Sequence, residues 1–284
     1  MKIGVALSGG GIRGIAHAGV LQALEKNNIP IDIIGGTSAG SMIASLYAIG
    51  YSPEEIFLLF RRNAKKIIGA NVSPIITGLQ SFIKRKNQTI SGFRNGLSIE
   101  EVYNQLAKEK QIESLSQIKM PLVIPTVDIM ESKEYIFTNQ IPPTEESSRY
   151  ITDITVGKAV RASSSFPAVF NLCNIKKHAF MDGGALDNVP VNEVKKQGAD
   201  RVIAVKFDAD KIDEKSNIMD IVMKTIDIMG NKIAEENLNQ SDFVLNVYTD
   251  KVGLLDTQKL DKCFEYGYEA VIKNLDKIKQ VIQK

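Results

Sequence analysis

The sequence is poor in the residues that build covalent or metal-held frameworks. It contains two cysteines, Cys173 and Cys263, and two histidines among 284 residues. The cysteines lie far apart and form no Cys-x-x-Cys pair, which argues against a disulfide scaffold and against a thiolate metal site. Only His17 and His178 are available as a histidine base. We therefore expect a protein of a reducing compartment that uses no metal and no cofactor.

Long hydrophobic runs and a large net charge are also missing. The apolar stretch at the N-terminus ends at Gly9 and is too short for a signal peptide or a membrane span. We therefore expect a cytoplasmic protein with peripheral membrane contact at most. The formal net charge is +2, from 35 basic and 33 acidic side chains, which gives no case for nucleic-acid binding. Hydrophobic residues make up 44% and charged residues 24%, the composition of a globular chain with a sizeable core.

The order of predicted elements is typical of an α/β protein. Residues 2–49 alternate strand, glycine turn and helix twice, which indicates a βαβ unit in a parallel sheet. Capping boxes that start at Ser52 and Ser98 predict two later helices. We predict one domain over residues 1–284, with a helical lid or insertion at about 51–120 and a C-terminal helical segment at about 250–284.

The first glycine turn, Gly9–Gly14, has the pattern G-x-G-x-x-G between a strand and a helix. Its uncovered N–H groups and the positive end of the following helix can hold a phosphate or the transient oxyanion of acyl transfer. A dinucleotide site also needs an acidic residue at the end of the second strand. Asp32 lies at the beginning of that strand instead, which weakens this alternative.

The second turn, Gly36–Gly40, matches G-x-S-x-G at the junction between a predicted strand and the helix that follows it. This is the arrangement of a nucleophile elbow, with Ser38 at the sheet edge and the N–H of Ala39 directed at a developing oxyanion. The structural alternative is a serine that caps the helix.

A serine nucleophile needs a base, and the chain offers two kinds. A histidine triad would use His178 with an earlier carboxylate such as Asp128 or Asp153, since His17 on the first helix is typical of a packing residue. The third glycine turn offers Asp182, which ends a short apolar strand and is followed by Gly183 and Gly184. An aspartate before two glycines is also common in ordinary turns.

Together the three turns resemble the patatin-like phospholipase family. The family pattern is GGGxRG, then GxSxG, then an aspartate in DG(G/A), and the chain has Gly9–Gly14, Gly36–Gly40 and Asp182–Gly184 in that order. Residues 161–170 and 187–191 are similar to further blocks of the family. The resemblance covers roughly residues 3–205 and implies a three-layer α/β/α fold with a mostly parallel central sheet.

The resemblance also implies a serine hydrolase that acts on acyl esters of lipids, as a phospholipase A or a lysophospholipase. Ser38 would attack the ester and Asp182 would take its proton, so the catalytic pair contains no histidine. The expected backbone donors of the oxyanion hole are those of Gly9, Gly10, Gly11 and Ala39. The expected supporting residues are Arg13, Gly14, Gly36, Gly40, Gly183 and Gly184. Arg13 either braces the turn or meets a phosphate head group. Alternatives are a nucleotide-binding oxidoreductase and a regulatory protein of low turnover on the same fold.

Basic charge is concentrated in residues 51–100, which carry eight basic and three acidic side chains. The segments 54–70 and 84–94 hold the basic residues, and the first is amphipathic. Such a helix suits an anionic membrane surface. It also suits a lid whose apolar face packs on the domain.

Overall fold

The computed structural model describes residues 1–68, 92–207, 218–249, 252 and 257–283. The strands of these residues are Ile3–Leu7 (β1), Ile33–Gly36 (β2), Gly92–Arg94 (β3), Leu122–Asp128 (β4), Lys133–Thr138 (β5), Tyr150–Ile151 (β6), Ala168–Phe170 (β7), Cys173–Ile175 (β8), His178–Asp182 (β9), Arg201–Phe207 (β10) and Phe243–Val247 (β11). The α-helices are Ile15–Lys26 (α1), Ala39–Ala48 (α2), Pro53–Ile68 (α3), Leu97–Glu109 (α4), Val156–Ser163 (α5), Val191–Lys196 (α6), Ile218–Leu238 (α7) and Leu260–Ile282 (α8). Among these helices, none is both long enough and apolar enough to cross a lipid bilayer.

The central sheet is mostly parallel. Its strands follow the order β11-β10-β1-β2-β4-β5-β6, and every neighbour from β11 to β4 is parallel. The pair β4–β5 is antiparallel, as are the pairs that β9 makes with β4 and β8. Strands β3 and β7 form a separate two-stranded sheet. The predicted α/β class with a mostly parallel sheet is confirmed.

Helices cover both faces of the sheet because successive side chains of a parallel strand point to opposite faces and both must be buried. On one face, Val5 and Leu7 of β1 join a large apolar core with α1, α2 and α8. On the other face, Ala6 joins a smaller core with Val191 and Val194 of α6. These two cores on either side of one sheet give the three layers that the family resemblance implied.

Strand β4 brings two distant segments together because it pairs with both along one edge. Its first residues, Leu122 and Val123, pair with β2, and its last residues, from Thr126, pair with β9. The antiparallel β9 therefore ends at Asp182 beside the place where β2 ends. This shared edge places the third glycine turn next to the second.

The two capping predictions had different outcomes. Ser52 and Glu55 form the expected reciprocal pair at the start of α3, with N···O distances of 2.7 and 3.2 Å. The helix predicted after Ser98 is present as α4, but its N-cap is Gly96, two residues before Ser98. Glu101, the glutamate of the expected capping box, instead lies 3.8 Å from Lys66 Nζ of α3.

The described part of the predicted insertion at 51–120 contains α3, β3 and α4, while its residues 69–91 lie outside the described residues. Of the C-terminal segment predicted at 250–284, α8 is the main described element. Residues 250, 251, 253–256 and 284 of that segment lie outside the described residues.

Candidate active site

Ser38 stands at a sharp turn between β2 and α2. Its φ of 53° and ψ of −120° lie outside the regions that residues with a side chain ordinarily adopt. The Ser38 N–H donates to Ser163 Oγ at 3.0 Å, and the Ser38 carbonyl accepts from the N–H and the hydroxyl of Ser41 at 2.9 and 2.6 Å. The strained backbone is thus held on both sides of the residue, as a nucleophile elbow requires.

The glycines that flank Ser38 are fixed by close backbone contacts. A Cβ at Gly36 would collide with the carbonyl of Gly40, and a Cβ at Gly40 would collide with the carbonyl of Leu7. A Cβ at Gly14 would lie 2.5 Å from the Ala39 side chain, so the first glycine turn also packs directly on the elbow.

The turn Gly9–Gly11 leaves the sheet beside the elbow because β1 and β2 are parallel and Leu7 pairs with Gly36. The Gly9 N–H is already engaged, since it donates to the backbone oxygen of Asn188 at 3.3 Å and to its Oδ1 at 3.1 Å. Gly9 is therefore a poor candidate for the oxyanion donor that the resemblance implied. Among the described hydrogen bonds, the N–H groups of Gly10, Gly11 and Ala39 have no acceptor.

Arg13 lies behind this turn and is 2% exposed. Its Nε donates to the carbonyl oxygen of Gly10 at 3.2 Å, and its guanidinium lies 5.5 Å from the centre of the Phe207 ring. Of the two roles considered for Arg13, this buried position fits a brace of the turn and does not fit contact with a lipid head group.

Asp182 is 3% exposed and begins a short 3₁₀ turn. Its Oδ1 accepts the Gly184 N–H at 2.8 Å, and its own N–H donates to the Ser165 carbonyl at 3.1 Å. A Cβ at Gly183 would collide with the carbonyl of Pro125, so this glycine lets the turn pack on β4. The carboxylate is thereby held in one place at the end of β9.

One pocket contains residues of all three glycine turns. The residues of the three turns that line a cavity open to solvent are Gly9, Gly10, Gly11, Ser38, Ala39, Asp182 and Gly184. Its other walls are mainly apolar and include Ile12, Met42, Phe60, Ile67, Phe166 and Phe170. Phe60 and Ile67 belong to α3, so the amphipathic helix forms one wall of the pocket. A nucleophilic hydroxyl, a carboxylate and backbone donors beside an apolar cavity can perform acyl transfer on a substrate with a hydrocarbon chain.

His178 lies away from this pocket. Its Nδ1 is 2.6 Å from Asp128 Oδ2 and 3.9 Å from Glu131 Oε1, so it does pair with one of the carboxylates considered for a triad. However, His178 begins β9 and Asp182 ends it, which separates them by about 13 Å at about 3.3 Å per residue. Among the pocket-lining residues neither His178 nor Asp128 occurs.

His17 is a buried residue of α1. Its Nε2 donates to the Ser8 carbonyl at 2.8 Å, and its ring packs against Phe207 with 4.7 Å between ring centres. Burial lowers the pKa of His17 from 6.5 to about 4, although the hydrogen bond to Ser8 opposes this shift. His17 is therefore neutral near pH 7 and supports the strand-to-turn junction.

The end of β2 offers no acidic side chain for a ribose. Asp32 precedes the strand, where its Oδ2 accepts the Ile3 N–H at 2.7 Å. The dinucleotide alternative therefore lacks the group that it needs at this position.

Comparison with known proteins agrees with this geometry. A family model, Patatin-like phospholipase, matches residues 5–195. The chain belongs to the patatin-like phospholipase family.

Relatives in this family include Lysophospholipase NTE1 of Meyerozyma guilliermondii, 31% identical over 75% of the chain and 13% of the relative. Patatin-like phospholipase domain-containing protein 6 of Mus musculus is 31% identical over 72% of the chain and 13% of the relative. The chain thus spans about an eighth of the length of these curated relatives.

Two solved structures show the same fold. VipD from Legionella pneumophila aligns with a TM-score of 0.51 at 16% identity, covering 97% of this chain and 67% of VipD. Human GIVD cytosolic phospholipase A2 aligns with a TM-score of 0.53 at 10% identity, covering 99% of this chain and 60% of the human chain.

Two residues at this patatin-like site were missed as site residues in the sequence. Ser163 accepts the Ser38 N–H, and Asn188 accepts the Gly9 N–H. Both lie within the blocks 161–170 and 187–191 that carry the family resemblance. That resemblance was the available signal, because neither residue lies in a glycine motif.

Stability should depend on pH through His17. Because the pKa of His17 is about 4 in the folded protein and 6.5 when unfolded, the unfolded state binds more protons between these values. Stability therefore falls as the pH drops through this window, by about 2 kcal/mol between pH 7 and pH 5 from this residue. Urea unfolding of the wild type and of His17→Gln should show this difference, with the smaller pH dependence in the variant. Equal pH dependence in both proteins would contradict the assignment.

Proposed function

We propose that the protein hydrolyses carboxylic esters of lipids, as a phospholipase A or lysophospholipase, through Ser38 and Asp182. The observation that carries this proposal is the common pocket. It joins a serine on a strained elbow and a buried carboxylate to an apolar cavity, together with three backbone N–H groups that have no acceptor among the described residues. The family membership and the lysophospholipase names of relatives support the same substrate class.

Acylation begins when Ser38 Oγ attacks the ester carbonyl carbon and Asp182 takes the hydroxyl proton. The carbonyl electron pair moves to the oxygen, which then carries the negative charge. The N–H groups of Gly10, Gly11 and Ala39 stabilise this oxyanion, and each such donor is worth about 3 kcal/mol of barrier in known enzymes. The intermediate collapses, the alcohol leaves with the proton from Asp182, and the acyl group stays on Ser38.

Deacylation repeats these steps with water. Asp182 takes a proton from the attacking water, the oxyanion forms again at the same donors, and its collapse breaks the bond to Ser38 Oγ. The proton on Asp182 returns to the serine and the fatty acid is released. The apolar walls near Ser38, including Met42, Phe60 and Phe166, would bind the hydrocarbon chain.

Substitution of Ser38 or Asp182 should abolish the hydrolysis of a medium-chain p-nitrophenyl ester. We expect Ser38→Ala and Asp182→Asn each to lower kcat by at least about 10³-fold, because each removes a group that takes part in bond making or proton transfer. His178→Phe is the matched control, since it keeps the ring contacts with Tyr135 and Phe180 and should retain activity within about threefold.

Two other outcomes would contradict the proposed mechanism. A folded but inactive His178→Phe variant would require a histidine triad. An inactive wild type that also fails to bind lipid substrates would indicate a regulatory protein on this fold.

We further propose that α3 makes peripheral contact with anionic membranes through its basic side chains. Its apolar face is buried in the domain through Ile56, Phe60 and Ala64, and Phe60 also lines the pocket. Arg61 and Arg62 remain exposed at the surface, although Arg61 also pairs with Asp261 at 3.0 Å. The contact would therefore be electrostatic rather than an insertion of the helix. Residues 84–91 of the second basic segment lie outside the described residues.

Vesicle sedimentation tests this contact. Ser38→Ala protein should bind vesicles rich in phosphatidylserine at low salt and leave them as the salt concentration rises. Changing Arg61, Arg62, Lys65 and Lys66 to Gln should abolish that binding. Unchanged binding of the Gln variant would remove the proposed role of α3.

A further inference from the structure

The side chain of Asn188 lies between the first and third glycine turns. Its Oδ1 accepts the N–H of Gly9, which is 179 residues away in sequence, at 3.1 Å. The same oxygen lies so close to Gly184 that a Cβ there would approach it to 3.2 Å. A Cβ at Gly9 would approach it to 2.7 Å. The amide oxygen of Asn188 therefore binds the turn after β1 and lies beside the turn that follows Asp182.

The glycine turn is fixed at two peptide groups, Ser8–Gly9 and Gly10–Gly11, which flank the Gly9–Gly10 peptide. Asn188 holds the N–H of Gly9, and Arg13 Nε donates to the carbonyl of Gly10 at 3.2 Å. In a planar trans peptide the C=O and the next N–H point in opposite directions, so the Gly11 N–H points away from Arg13. The turn then retains the N–H groups of Gly10 and Gly11 as donors, and both residues line the pocket with Ser38.

These hydrogen bonds matter because glycine has the most flexible backbone of all residues. Three consecutive glycines can adopt many conformations, and Gly11 here has a φ of 58°. Oxyanion stabilisation depends on donors that are already in place before the charge develops. The backbone oxygen of Asn188 also accepts the Gly9 N–H at 3.3 Å, and the side-chain Oδ1 at 3.1 Å is the second acceptor that fixes the direction of this N–H.

We propose that Asn188 is a positioning residue: it fixes the peptide orientation of Gly9–Gly11 and couples the oxyanion donors to the turn that carries Asp182. This inference rests on the proposed esterase function. Asn188 acts on the reaction through Gly9, because its hydrogen bond goes to the turn and not to the reacting ester.

The first test is steady-state hydrolysis of p-nitrophenyl butyrate by Asn188→Ala. We expect kcat to fall roughly 10- to 100-fold, below or at the lower end of the loss from deleting a whole oxyanion donor. Although Asn188 also lines the pocket, KM should stay within about threefold, since the apolar walls that would hold the hydrocarbon chain are unchanged. Asn192→Ala is the matched control from the same segment, because Asn192 donates to Asn237 at 2.6 Å and does not line this pocket. The kcat and KM of Asn192→Ala should equal those of the wild type.

A second readout separates positioning from general structural damage. An alkyl trifluoromethyl ketone forms a hemiketal oxyanion on a serine, so its inhibition constant should rise by the same factor by which kcat/KM falls. The alcohol of equal chain length forms no oxyanion, and its inhibition constant should not change. An equal weakening of both inhibitors would overturn the proposal, since it would mean that the whole pocket is damaged.

Two measurements keep the test decisive if Asn188→Ala does not fold. Asn188→Ser is a milder variant that also lacks the reach to Gly9 and should show the same split between kcat and KM. In the wild type, hydrogen exchange of the Gly9 amide should be slower than that of Gly10 and Gly11, and it should become faster in Asn188→Ser, which keeps the backbone acceptor and loses the side-chain acceptor. Exchange of Gly9 as fast as its neighbours would overturn the proposed contact.

Failure of the inference and failure of the proposed function give different results. If the wild type hydrolyses no ester and forms no ketone adduct, the esterase function fails and the role of Asn188 falls with it. If the wild type is active and folded Asn188→Ala has the wild-type kcat, only the role of Asn188 is overturned.

Discussion

The strained backbone at Ser38 is the constraint on which the rest of the site depends. A non-glycine residue with a φ of 53° and a ψ of −120° costs on the order of 1–3 kcal/mol, which the surroundings must offset. Gly36 and Gly40 leave space for the sharp bend, and Ser163 accepts the N–H of Ser38. In this conformation the Ser38 carbonyl caps the first turn of α2 through Ser41. The side chain is left to line the pocket.

The topology of the sheet brings the other groups to this elbow. Parallel pairing of β1 with β2 puts the Gly9–Gly11 turn beside Ser38 at the carboxyl edge, where ligands bind in α/β folds. The antiparallel strand β9 supplies Asp182 at the same edge because β4 pairs first with β2 and then with β9. The site thus combines three strand ends, and hydrogen bonds such as that from Gly9 to Asn188 connect them.

The sequence predicted what depends on local geometry. The glycines around Ser38 and the capping box at Ser52 were recognisable because each constraint acts within a few residues. The N-cap of α4 was misplaced because Glu101, the glutamate of the expected capping box, lies beside Lys66 of α3 at 3.8 Å rather than over its own helix start. Likewise, Asp128 was one of two candidate partners of His178, but only the strand register shows that this pair lies at the far end of β9. Long-range contacts of this kind leave no periodic pattern in the chain.

We infer that Ser38 is a nucleophile activated inside one preformed pocket. The most direct measurement is to treat the protein with an alkyl fluorophosphonate and to locate the adduct by peptide mass spectrometry. We expect one adduct per chain, on the peptide that contains Ser38, and slower labelling when a medium-chain ester competes. Labelling at another serine, or none on folded protein that hydrolyses esters, would contradict the claim.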